Sequence, residues 1–178
     1  ADALVERVEA DAATELDRLG SQKLLLALTD ADLSTAGVLG AAAASERAAA
    51  ETFEQWAADE ADAETHALFA AVAREEADHD ERIRAELDAD PDGGTDPLHA
   101  HLRGLEGTVE RVAAGLVGRG LVADRTHLQL INFFVNEADE RRADLFRALR
   151  EETADQRARG CARLDAALDA DVEWARAR

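Results

Sequence analysis

The chain has 178 residues, 39 acids against 20 bases and a net charge of −19, which makes nucleic acid and anionic membranes poor partners. Hydrophobic residues are 47% but aromatics only 4%, with two prolines and no tyrosine; this alanine-rich composition favours helix and gives no reason to expect a sheet. A single cysteine, Cys161, excludes an intramolecular disulfide and any Cys-x-x-Cys site for zinc or a rubredoxin-type iron within this sequence.

In chain order, residues 3–19 predict an opening helix with Leu4, Val8, Ala12, Leu16 and Leu19 on one face and Gly20 as its stop. This stretch carries acids where a signal peptide carries bases, which predicts a cytoplasmic protein. "SQKLLLALTD" predicts a short apolar helical piece closed by cap residues between Thr29 and Ser34. Four longer helices are expected at about 34–58, 62–89, 97–117 and 121–150. They are separated by "ADEADAE", by the Pro/Gly crossover "DADPDGGTDP" and by "GRG", Gly118 to Gly120. A last amphipathic piece carries Leu164, Leu168, Val172 and Ala175. No apolar run approaches the ~18 residues of a membrane span. The acids are spread along the whole chain and Lys23 is the only lysine, a pattern of adaptation to molar salt, where the Debye length is only ~3 Å. The expected architecture is all-α: a single domain whose core, about 34–150, is an antiparallel four-helix bundle of the ferritin-like kind, with extra N-terminal (1–33) and C-terminal (151–178) helices.

Acids on the apolar stripes of these helices need a separate account, because an unpartnered buried carboxylate is very costly. The second long helix has the stripe Phe69, Val72, Glu76, His79, Ile83, Leu87, so Glu76 and His79 stand in core positions while Glu75, Asp78, Asp80 and Glu81 turn away. On the first, Glu46 lies within Leu39, Ala42, Ala49, Phe53 and Trp56. Residues 46 and 76 are equidistant from position 61, inside the predicted turn. Glu51 and Glu54 fall about 8–12 Å too near the bend at ~1.5 Å per residue. Two carboxylates and a histidine aimed into one core are best explained by a shared cation. In the second hairpin Glu137 interrupts the apolar stretch "LQLINFFVNEADE", and its level partner across "GRG" is Glu106, with Glu110 as the alternative. A Glu-x-x-His match there fails: residue 140 is Glu140, and Arg141 is expected to face inward more than Glu140 does. His66, His99 and His101 read as surface residues. His127 lies ~15 Å along the axis from Glu137, too far to join a site there.

"SERAAAETFEQW…ALFAAVAREEADHDERI", Ser45 to Ile83, resembles the first hairpin of rubrerythrin-like, ferritin-like di-iron carboxylate proteins, and the whole chain resembles their halophilic archaeal members that lack a rubredoxin domain. The resemblance implies two iron ions held by Glu46, Glu76, His79, Glu106 and Glu137. Glu76 and Glu137 would bridge, and ferrous iron would be oxidised by peroxide or dioxygen. It also implies a separate electron donor and side-by-side homodimers. Two other readings stand beside it: a degenerate ferritin-like module serving interaction or assembly, and a single-ion or zinc site built on Glu46, Glu76 and His79.

Overall fold

The computed structural model describes residues 2–21, 23–88 and 96–176, and side chains from residue 5 to 167. All regular structure among them is helical: α1 (Asp2–Asp11), α2 (Ala13–Leu19), α3 (Lys23–Leu28), α4 (Thr35–Asp59), α5 (Ala63–Arg84), α6 (Pro97–Leu102), α7 (Thr108–Arg111), a π-helical segment (Val112–Gly118), α8 (Arg119–Asn136) and α9 (Glu140–Arg176). No described helix is long and apolar enough to cross a membrane. Pro91, Gly93 and Gly94 of the expected crossover lie outside the described residues, as do the side chains of Leu168, Val172 and Ala175. The chain divides into two compact units, residues 22–105 and residues 1–21 with 106–178.

In the 22–105 unit, α4 and α5 form an antiparallel hairpin; α4 keeps its expected bounds, whereas α5 ends at Arg84 rather than near residue 89, which leaves Leu87 outside the helix. Ser34 caps α4 by accepting from Gly37 N–H at 3.0 Å. The bend is held by polar side chains rather than glycine. Glu60 Oε1 accepts from Asp62 N–H at 2.9 Å, and Asp62 Oδ1 caps α5 by accepting from Thr65 N–H at 2.8 Å. The last turn of α4 gains a further partner across the bend, where His66 Nδ1 lies 2.8 Å from the Ala57 carbonyl. One turn into the hairpin, Phe53, Trp56 and Phe69 are fully buried, with ring centroids 5.4–6.0 Å apart. Beside α4, α6 places His99 in the interior. Thr52 Oγ1 sends its one proton to the Ala48 carbonyl at 2.7 Å, so His99 Nδ1, 3.0 Å away, is the donating nitrogen. The expectation that His99 lies on the surface is therefore overturned, while His101 is exposed.

Three expectations fail between residues 97 and 150. The helix expected over 97–117 breaks after Leu102, and α7 restarts behind Gly107, which sits extended at the N-cap. "GRG" is no turn: helix runs unbroken from Thr108 to Asn136. Its glycine serves close packing, because a Cβ on Gly120 would stand 3.2 Å from the Arg157 Cβ. On the facing helix, Gly160 approaches Leu116 so closely that a Cβ would stand 2.5 Å from the Leu116 Cβ. The chain turns instead at Glu137–Asp139, where Ala138 takes the left-handed conformation at φ 57°. Asp139 N–H bonds the Phe134 carbonyl at 2.9 Å and Ala138 N–H bonds the Val135 carbonyl at 3.1 Å, a Schellman stop with alanine in the usual glycine position. Asp139 Oδ1 then caps α9 by accepting from Arg142 N–H. From there α9 runs through residue 176 as one helix, so the expected separate C-terminal piece is continuous with it.

Candidate metal centre

Glu46 on α4 and Glu76 and His79 on α5 each direct a ligand-type atom into one space, and these atoms all lie within 4.8 Å of one another. Glu76 and His79 have no exposed surface and Glu46 is 4% exposed. Their convergence follows from helical phase. Positions 76 and 79 lie on one face of α5, and the bend at Glu60–Asp62 sets residue 46 at the level of 76. Glu76 Oε2 lies 3.6 Å from His79 Nδ1. Donors bound to one ion at about 2.0–2.2 Å in tetrahedral array stand about 3.3–3.6 Å apart, so this pair already has the spacing of two neighbouring ligands.

The donor set decides which ion fits. Two carboxylates and one neutral imidazole carry two negative charges, which a divalent cation balances. Burial raises the free energy of an ionised carboxylate, and a second carboxylate nearby raises it further, so a shared cation favours both charges at once. One nitrogen and carboxylate oxygens suit Fe²⁺, Mn²⁺ or Zn²⁺ better than the softer ions that thiolates select. Three protein donors leave room for a further ligand on a four- to six-coordinate ion.

The remaining predicted ligands belong to the other unit. Glu106 lies in the non-helical stretch before α7 and is exposed, and Glu137 is exposed at the bend between α8 and α9. Their level match was reckoned from a turn at 118–120, and the bend stands at 137–139, so the match dissolves. Glu110 is exposed as well, and Glu140, also exposed, accepts from Arg147 at 3.3 Å. Arg141 is exposed and does not face inward. His127 is buried, with its ring 6.3 Å from that of Phe146.

Sequence phase missed one pair beside the site. Asp80, assigned there to the solvated face, is buried, and its Oδ2 accepts from Arg47 Nε at 3.3 Å and lies 3.7 Å from Arg84 Nη1. The available signal was positional. Arg47 and Asp80 each follow a candidate ligand in sequence and carry opposite charges at nearly one level of the hairpin. No family model matches the chain, and neither a curated protein nor a solved structure matches it.

Proposed function

We propose that the α4–α5 hairpin binds one divalent transition-metal ion through Glu46, Glu76 and His79, and that the protein is an iron-dependent oxidoreductase of rubrerythrin-like, ferritin-like type acting on peroxide or dioxygen. The convergence of three buried ligand-type side chains within 4.8 Å carries this reading. Two further considerations support it: the charge of the donor set equals that of a ferrous ion, and the ligands stand on the hairpin that bears the Ser45–Ile83 resemblance. One ion is preferred over two because Glu106 and Glu137 are exposed.

A ferrous ion held there would supply one reducing electron to the oxidant as it becomes ferric, and the separate donor the others. The protein's own part is to orient and to exclude. Glu46 and Glu76 bring negative charge from two helices and His79 brings a nitrogen. Burial of all three keeps bulk water from competing with an incoming ligand. No cysteine pair for a rubredoxin-type iron lies in this sequence; a separate electron donor and pairing into a homodimer belong to the same reading.

The near-zero exposure of the ligands favours a second reading, a closed ion of purely structural role. Metal content per chain after anaerobic reconstitution with Fe²⁺ in molar salt, followed by peroxide consumption in the presence of excess chemical reductant, separates the two. One ion per chain, absent from Glu76→Ala, with peroxide consumed, is the expected result. One ion without turnover gives the structural reading, two ions per chain restores the di-iron reading, and no bound ion overturns all three.

A further inference from the structure

We infer that the Arg47–Asp80 ion pair positions the metal centre by locking the register of α4 against α5, an inference that rests on the metal reading above. Arg47 follows Glu46 and Asp80 follows His79, while Asp80 also lies one helical turn beyond Glu76. A rotation or slide of either helix large enough to part the pair therefore displaces a ligand. Asp80 Oδ2 takes the contact from Arg47 Nε at 3.3 Å, with Arg84 Nη1 at 3.7 Å on the same oxygen.

The pair is not built for stability alone. Arg47 Nη2 and Asp80 Oδ1 are both buried without a hydrogen-bond partner, although a guanidinium and a carboxylate can join through two parallel bonds. A half-made fork leaves two desolvated polar atoms whose cost a purely structural brace would avoid by closing. Violations of this kind collect at functional sites. The other hairpin provides the contrast. Arg150 Nε meets Asp124 Oδ1 at 2.7 Å between α8 and α9, and neither residue adjoins a ligand of the candidate centre. It is a cross-helix pair of the same chemistry, and so an internal control.

The test is a Co²⁺ titration of the full chain in molar salt, read by the visible absorption of the bound ion and by competition with a chelator. Arg47→Gln is expected to raise the Co²⁺ dissociation constant about 10–100-fold, the usual effect of losing a group that orients metal ligands, and to change the band shape while helical circular dichroism is kept. Arg47→Lys retains charge but loses the planar fork, and falls between the two. It also carries the test if Arg47→Gln does not fold. Asp124→Asn binds as wild type. An Arg47 variant that binds Co²⁺ with wild-type affinity and spectrum, even if it melts lower, reduces the pair to a brace and overturns the inference. Wild-type protein that binds no Co²⁺ overturns the metal reading itself, and this inference with it.

Discussion

The α4–α5 hairpin turns on capped polar residues and fills its interior with Phe53, Trp56 and Phe69, whereas the α8–α9 hairpin turns on a left-handed alanine and draws its helices together by setting glycine against leucine and arginine. In the first pair two carboxylates and an imidazole stand buried between the helices, on the same hairpin as that aromatic cluster. In the second, Glu137 and Glu140 lie exposed at the bend and just beyond it. The two hairpins also share a device, an Arg–Asp pair across the helices, at 3.3 Å in one and 2.7 Å in the other. The difference teaches that where the bend falls decides what an inward acid can meet.

The contrast can be broken most forcefully at the aromatic cluster. Phe69→Ala should cost about 3–5 kcal/mol by urea denaturation and weaken metal binding, whereas Phe134→Ala, which removes a ring stacked on Phe146 at 5.5 Å, should cost a similar amount and leave metal affinity intact under native conditions. Next comes the charge at the centre. In wild type a divalent ion at a hundredfold excess over its dissociation constant should raise stability by ~2.7 kcal/mol. Glu76→Gln should abolish that gain while leaving the metal-free protein at least as stable, because one buried carboxylate is gone; a metal-free Glu76→Gln protein much less stable than wild type would count against the ion.

Smaller effects sharpen the second hairpin. Gly160→Ala should lose roughly 1–3 kcal/mol through overpacking against Leu116, measured by thermal melting. Ala138→Gly should gain about 1 kcal/mol by relieving the left-handed alanine; an unchanged denaturation midpoint would show that the bend is not strained. The smallest is Asp124→Asn. Burial pushes the Asp124 carboxyl up, but the Arg150 and Arg125 guanidinium groups hold it below the usual carboxylate range. Its folded-state value thus lies below the unfolded one. The stabilisation is present above the unfolded value of ~3.9 and is lost as pH falls through the folded one. Asp124→Asn should therefore cost up to about 1 kcal/mol at neutral pH, with the gap to wild type closing in strong acid.

Much of the helical pattern is legible in the sequence, and in the first hairpin the whole of α4 and the start of α5, though not the end of α5 at Arg84. There the turn is polar, Asp62 is a recognisable cap, and residue 61 truly bisects it, so the meeting of Glu46 with Glu76 and His79 can be read from phase and depth. The second hairpin defeats the same reasoning because its signals are inverted. Gly118 and Gly120 look like a turn but lie within continuous helix, where Gly120 packs closely on Arg157, while the true stop uses Ala138, a residue with no turn signature. Depth reckoned from the false bend brings Glu106 and Glu137 together, and the chain does not. The π-helical segment Val112–Gly118 adds to the error, since its wider turn shifts the phase of every residue read through it at 3.6 per turn. Asp80 escaped for another reason: phase gives the direction of a side chain but not the reach of an arginine from the neighbouring helix.

The polar bend at Glu60–Asp62 also sets a timetable. All three candidate ligands fall between residues 46 and 79, on helices joined by that bend, so their meeting requires only local contacts, which form early and fast. During synthesis the hairpin is complete in the nascent chain before residues 106–178 exist. An ion captured then would template the 22–105 unit, leaving the α8–α9 hairpin to fold as a later event.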